Sequence, residues 1–465
     1  MSLRRVGHAL WATAMITVLA ADPAAAQGAG QGRGAQAPEA VEGRFLDVIV
    51  VLDPAFAPGG HAANRAEAAR VARGLGVASP QFAYGTALFG FAARIPEGRL
   101  AALSNHPRVL FVDFDAPVSV PVPRTAAPPW CAPESTHPAC QPDDGGGEEL
   151  GPTVGQEVPW GVERIAADLN GNAGAGIHVY VIDTGVDADH PDLRANLGNG
   201  YAIERCRGGG CRYNWDDDNG HGTHVAGTIG AIDNAVGVVG VAPGVTLHAV
   251  KVLSRSGSGS RSGVIAGVDW VASEVRKRAK PAVANMSLGG SGSKSGTCSA
   301  AGFSGTDSYH RAICNAARAG VVFAVAAGNE GADAQNAVPA AYDDAVIAVS
   351  ATMQGDDWPS WSNWGDNAAG WTPYSSAPVA IAGPGVGVLS TWNNGGTATK
   401  SGTSMAAPHV AGAAALYLAS NAQSPDFTAF ANTRTGLLDA AEGTDGFANG
   451  SGKPHAEDLL SADGL

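Results

Sequence analysis

From Val158 onward, short apolar runs alternate with helix-forming stretches, and this alternation limits the fold more than any other feature of the chain. The runs at 179–182, 247–252, 283–286, 321–326 and 346–349 are apolar almost throughout, and the stretches at 223–231, 262–273 and 308–319 read as helices. Strands without a polar face need cover on both sides. The pattern therefore predicts an α/β fold, a parallel sheet sandwiched by helices. Such sheets carry their functional side chains at the C-terminal tips of the strands.

Three segments carry candidate reactive groups. Val179-Tyr180-Val181-Ile182 runs into Asp183-Thr184-Gly185, which puts a carboxylate at a strand tip. An Asp before a turn glycine is most often a turn former. Asp-Thr-Gly is also the aspartic-protease tripeptide, but that chemistry needs a carboxylate pair from two such loops or from a short homodimerising chain. Asn219-Gly220-His221-Gly222-Thr223-His224 sets a glycine-flanked imidazole at the start of a small-residue helix. His221 and His224 lack the glutamate of His-Glu-x-x-His, which argues against zinc. Ser401-Gly402-Thr403-Ser404-Met405-Ala406-Ala407-Pro408 leads into an Ala-rich run ending at Leu418. Taken alone Ser404 reads as an N-cap, but a hydroxyl at the positive end of a helix dipole also suits a nucleophile.

Asp183, His221 and Ser404 follow one another in the chain order of the subtilisin constellation. With these motifs the chain resembles the subtilisin-like (subtilase) serine proteases, and most of all their proteinase K branch. Lys251-Val252-Leu253, Gly257-Ser258-Gly259, Ser287-Leu288-Gly289-Gly290 and Ala326-Ala327-Gly328-Asn329 extend the match over roughly 155–460. The resemblance implies a serine endopeptidase. Ser404 would attack, His221 would carry the proton, Asp183 would orient and stabilise the imidazole, and Asn329 would supply the oxyanion hole. Substrate would bind as an added strand between Ser256-Gly257-Ser258 and Ser287-Leu288-Gly289. The first pocket, walled by Ala326-Ala327-Gly328 and Leu288-Gly289-Gly290, carries no charge, which implies an apolar or aromatic residue before the scissile bond. Two positions depart from the branch. Val225 replaces the cysteine beneath the catalytic histidine, and Ala380 replaces a calcium-binding aspartate. No catalytic cofactor is implied, and a structural Ca2+ has no assignable ligands. Asp216-Asp217-Asp218 offers oxygens for one but reads more simply as a solvated acidic loop.

The N-terminal third reads separately. Residues 1–26 form a signal peptide: Arg4 and Arg5, an apolar stretch too short to span a bilayer, and Ala24-Ala25-Ala26 before Gln27. Residues 27–43 are a flexible leader. Residues 44–120 read as β-α-β-β-α-β, a ferredoxin-like α+β unit that resembles the subtilase inhibitor-type propeptide. Such a domain chaperones folding and leaves its tail in the cleft. Residues 121–154 are a Pro- and Gly-rich linker with the cleavage region, and 155–465 are the peptidase domain. Export makes disulfides reasonable. Six cysteines allow fifteen connectivities, and sequence neighbours suggest Cys131–Cys140, Cys206–Cys211 and Cys298–Cys314. With 29 Lys plus Arg against 43 Asp plus Glu, the net charge of −14 argues against nucleic acid. The expected partners are protein or peptide substrates and the chain's own propeptide, for a secreted monomer (extracellular or periplasmic) with no membrane attachment once the signal is removed. The Trp-rich stretch 358–374 reads as a surface insertion, its rings explained better by loop packing than by a carbohydrate-binding patch. A narrow processing protease, or a silent binding protein on the same fold, are the alternatives.

Overall fold

The computed structural model describes residues 44–121, 149–150, 155–365, 378–443, 455 and 457–465. The signal peptide and leader, most of the linker with Cys131 and Cys140, and Trp371 lie outside the described residues.

The N-terminal part is built from β1 (Phe45–Leu52), α1 (His61–Gly74), β2 (Phe82–Tyr84), β3 (Gly90–Pro96), α2 (Leu100–Ser104) and β4 (Val109–Phe114). The strands form one antiparallel sheet in the order β2-β3-β1-β4, as the β-α-β-β-α-β reading requires. Period-two alternation sorts the side chains of β1. Val48, Val50 and Leu52 pack with Ala68, Val71 and Ala72 of α1. Ile49 and Val51 face the other way and join the apolar core of the larger part. A short strand, β5 (Pro117–Ser119), follows.

The larger part holds seven parallel strands in one sheet. They are β6 (His178–Asp183), β7 (Tyr201–Ala202), β8 (Thr246–Lys251), β10 (Ala282–Met286), β11 (Val321–Ala326), β12 (Ile347–Thr352) and β13 (Ile381–Pro384). Across the sheet they run β13-β12-β11-β10-β6-β8-β7. Alternate residues of each strand face opposite layers. Val179 and Val181 of β6 pack with α3 (His221–Gly230), α6 (Thr403–Ser420) and α7 (Phe427–Ala440). Tyr180 and Ile182 pack with α4 (Arg261–Arg278) and α5 (Ser308–Ala317). Both faces are thus covered, as the unbroken apolar runs predict. From β6 the chain crosses to β8 on one side and then to β10 on the other. The tips of β6 and β10 therefore flank a topological switch point, where a crevice opens.

Helix α4 shows how sequence sets these elements. Ser260 caps its N-terminus, its Oγ accepting from Gly263 N at 3.1 Å. Arg276, Lys277 and Arg278 complement the dipole in the last turn. The N-terminal part docks on this layer through capping geometry. Asp115 accepts from the backbone N and the hydroxyl of Ser262, and Asp113 accepts from Ser308 N at 3.0 Å and Ser308 Oγ at 2.8 Å. Conversely, Asp269 of α4 accepts from Gly85 N, Thr86 N and Ala87 N at 2.9, 2.6 and 2.7 Å.

One expectation changes. Trp358 is not part of a surface insertion: it is 2% exposed, packs with Ala382 and Leu459, and stacks on His455 with ring centroids 5.1 Å apart. Its indole is large enough to need that cover. The chain's last stretch also packs inward. Leu459, Leu460 and Ala462 are buried, and this stretch pairs with β13 through Ala382 N to Asp458 O at 2.9 Å and Leu460 N to Ala382 O at 2.8 Å. Cys206–Cys211 and Cys298–Cys314 are disulfides, as suggested. No helix among the described residues is long and apolar enough to cross a membrane.

Candidate active site

Asp183 ends β6 and is fully buried. Its Oδ1 accepts from Thr184 N at 2.7 Å and from His221 Nδ1 at 2.8 Å. That pairing leaves His221 Nε2 facing away from the carboxylate. His221 is the first residue of α3, and Asp217 holds the helix start. Its two oxygens accept from Asn219 N, Gly220 N, Thr223 N and Thr223 Oγ1 at 2.7–3.0 Å. The helix comes so close to the Asp183 loop that a Cβ on Gly222 would stand 2.1 Å from Gly185 O, so only glycine fits there. Thr184 Oγ1 fastens the contact by accepting from Gly222 N at 2.8 Å. Beneath both loops, the fully buried Lys251 donates from Nζ to Asp218 Oδ1 at 2.7 Å, to Leu253 O at 3.0 Å and to Thr184 O. A buried ammonium needs such pairing.

Ser404 is the second residue of α6, behind Gly402 at the cap position, so it is not the helix's N-cap. Pro408 sits one turn further on and has no N–H to give the Ser404 carbonyl. Ser287 Oγ fills that role, donating to Ser404 O at 2.8 Å. Asn285 Nδ2 in turn donates to Ser287 Oγ at 2.9 Å. Asn329 is aimed by its neighbour in space, Thr403, whose N and Oγ1 donate to Asn329 Oδ1 at 2.9 and 2.8 Å. The free Nδ2 then points into the crevice and donates to Pro121 O at 3.0 Å.

That contact locates the tail of the N-terminal part. β5 pairs antiparallel with β9 (Ser258–Ser260). On the other side Ser119 exchanges both backbone hydrogen bonds with Gly289, each 2.9 Å. Val120 N donates to Gly257 O at 2.9 Å. A Cβ on Gly290 would stand 2.8 Å from Pro117 O. The chain thus lies as a middle strand between two of the stretches singled out for substrate. Ser256 is the exception: it stands exposed, its hydroxyl against that of Ser254 at 3.0 Å. Leu288 is buried. Beyond Pro121 opens a cavity of about 380 Å³, walled by Gly289, Gly290, Ala326, Ala327, Gly328 and Val338. Glu330 and Asp333 join its lining, so the pocket is not the uncharged slot expected from its glycine and alanine walls. Both acids follow the Asn329 motif in sequence. Glu330 Oε2 is tied to Asn363 Nδ2 at 2.8 Å, and Asp333 Oδ1 accepts from Gln335 N at 2.9 Å.

No group of three or more His, Cys, Asp or Glu among the described residues is placed to hold a metal. His224 turns away from His221 and shares its Nε2 proton between Val388 O at 3.1 Å and Ala398 O at 3.0 Å. Burial, with His221 nearby, lowers its pKa to about 3. Burial likewise lowers His248 and His409 to about 4. All three bind protons less readily folded than unfolded, so acid drives unfolding. Stability of the Ser404→Ala chain in urea should therefore fall as pH drops from about 6.5 towards about 4, by up to about 1.4 kcal/mol per unit for each histidine. A stability independent of pH across that window would show that these rings are not buried neutral.

The model of the subtilase family matches residues 174–453. The chain belongs to the subtilase family. An extracellular serine proteinase from Thermus sp. (strain Rt41A) is 36% identical to this subtilase over 435 residues, covering 88% of this chain and 89% of its own. Subtilisin DY from Bacillus licheniformis is 41% identical over 269 residues, 57% of this chain and 85% of its own. Among solved structures, that of a cold adapted subtilisin-like serine proteinase is 37% identical, covers 65% of this chain and 97% of its own, and has a TM-score of 0.50. This subtilase is a serine endopeptidase by family. These relatives establish the family rather than its proteinase K branch.

Proposed function

We propose that the chain is a secreted endopeptidase made as a self-processing zymogen, with Asp183, His221 and Ser404 as its triad and Asn329 in its oxyanion hole. What supports this most is the tail 117–121, held as an added strand with the Pro121 carbonyl on Asn329 Nδ2 at 3.0 Å. A peptide bound this way presents the bond after residue 121 to Ser404. The parts before Val122 then act as a propeptide, and its capping carboxylates Asp113 and Asp115 and its apolar face at Ile49 and Val51 support docking on α4 and α5. Burying two such aliphatic side chains is worth roughly 1.5–3 kcal/mol each. Export is supported by the signal-like residues 1–26 and by a relative named as extracellular. The substrates are proteins, bound with an apolar or aromatic residue before the scissile bond, since small or apolar residues make up most of the cavity wall. A long basic residue at that position is the second reading, favoured by Glu330 and Asp333 in the lining. Catalysis needs no cofactor; a structural Ca2+ would have to use ligands other than a carboxylate at position 380.

Profiling the purified mature enzyme on a peptide library tests the reading. Cleavage after Phe, Leu or Met is expected to dominate. Dominant cleavage after Lys or Arg, lost in Glu330→Gln with Asp333→Asn, would move the assignment to the second reading.

A further inference from the structure

We infer that Pro121 is a brake on the chain's cleavage of itself. The inference rests on the zymogen reading above. In an antiparallel ladder the hydrogen-bonded pairs recur at every second residue. Ser119 pairs with Gly289 through both bonds, so the next such pair is residue 121 with Ser287. The rung that should form there is an N–H of residue 121 donating to Ser287 O. Proline has no N–H, and the rung is missing.

The consequence reaches the nucleophile. With no donor arriving from residue 121, Ser287 O accepts from Ser404 Oγ at 3.4 Å. His221 Nε2, the atom that should take the Ser404 proton, is buried without a hydrogen-bond partner among the described residues. The carbonyl to be attacked is already seated on Asn329 Nδ2, so the oxyanion side is in place while the nucleophile's hydroxyl is turned to the wrong acceptor. The pyrrolidine ring also leaves the cavity beyond it open, where a larger side chain would add apolar contact.

Self-cleavage requires Ser404 Oγ to attack the Pro121 carbonyl carbon as its proton passes to His221. The bond to the Val122 nitrogen then breaks and that nitrogen takes the proton. Water hydrolyses the acyl ester, leaving a Pro121 carboxylate and restoring the Ser404 hydroxyl. An N–H at residue 121 would occupy Ser287 O and free Ser404 Oγ for His221 at the first of these steps. Proline thus holds the tail in the cleft as a bound but slowly cut segment.

The test compares the full-length wild-type chain with Pro121→Ala, Pro121→Phe and Ser404→Ala, following precursor loss on gels and the intact mass of the released N-terminal fragment. Pro121→Ala restores the N–H alone and should shorten the precursor half-life roughly 2- to 10-fold, the worth of one hydrogen bond. Pro121→Phe also fills the cavity and should shorten it further, by about tenfold or more. In both variants and in wild type the fragment should end at residue 121. Half-lives equal to or longer than wild type in both variants would overturn the brake, as would a wild-type fragment ending elsewhere. Cutting of the Ser404→Ala chain at the same rate as wild type would instead remove the zymogen reading itself. A second measurement avoids any effect on folding. The mature enzyme is given anilides of Pro-Val-Ser-Val-Pro, Pro-Val-Ser-Val-Ala and Pro-Val-Ser-Val-Phe. A kcat/KM for the Pro peptide equal to that for the Ala peptide also overturns the proposal.

Discussion

Ser404→Ala should give a folded chain that neither digests protein nor shortens itself. The expected loss in kcat is about 10⁶-fold, a figure that belongs to a subtilisin and is carried over from it. Ser404 is 1% exposed and, among the described residues, its Oγ makes one long hydrogen bond, 3.4 Å to Ser287 O, so its removal should hardly change stability. Organophosphorus and sulfonyl fluoride reagents should no longer label the protein. Proteolysis at the wild-type rate by the purified variant would rule out Ser404 as the nucleophile.

Asn329→Asp carries the second large effect. The substitution keeps an oxygen for Thr403 N and Thr403 Oγ1, which hold the wild-type side chain at 2.9 and 2.8 Å. It removes the donor that reaches Pro121 O and puts a negative charge where an oxyanion would form. A drop of at least about 10²–10³ in kcat with little change in KM is expected, again a magnitude transferred from a subtilisin. Peptide hydrolysis at saturating substrate checks it. An unchanged kcat would mean that the amide does not act on the transition state.

The strands of the larger part were legible because their signal is local. Apolar runs buried on both faces gave β6, β8, β10, β11 and β12 to within three residues at either end. Other elements were missed although their signals are present. Helix α7 starts behind Asp426, which caps Thr428 N at 2.8 Å, and carries Phe430 and Leu437 inward. The hairpin of β14 (Val388–Trp392) and β15 (Gly396–Lys400) turns on Asn393-Asn394-Gly395, a recognisable turn sequence. Asp183, His221, Ser404 and Asn329 stand in motifs that the sequence alone displays. Their supports do not: Thr403 reaches Asn329 across 74 positions and Ser287 reaches Ser404 across 117. Such pairings depend on the fold, and one sequence carries no trace of them. Lys251 stands out in the sequence only as part of a motif; its placement between the Asp183 loop and Asp218 depends on β8 lying beside β6. Glu330 and Asp333 do not belong to the motif's own walls, from which the pocket's character is read, and join the lining just after it.

A protease that takes its substrate as an added strand, as proposed above for this chain, must live among copies of itself. Any free edge or trailing segment is then food for a neighbour. The zipping of residues 458–460 onto β13 answers that hazard. Ala382 bonds to both Asp458 and Leu460, while Leu459 exchanges bonds with Glu442 at 2.8 and 2.9 Å. One stretch thereby shields the outer strand of the sheet and gives up its own backbone groups, so neither can be threaded into another molecule's cleft without first being peeled away. Resistance to self-digestion should accordingly be decided by how often this seam opens, rather than by how well the core is packed.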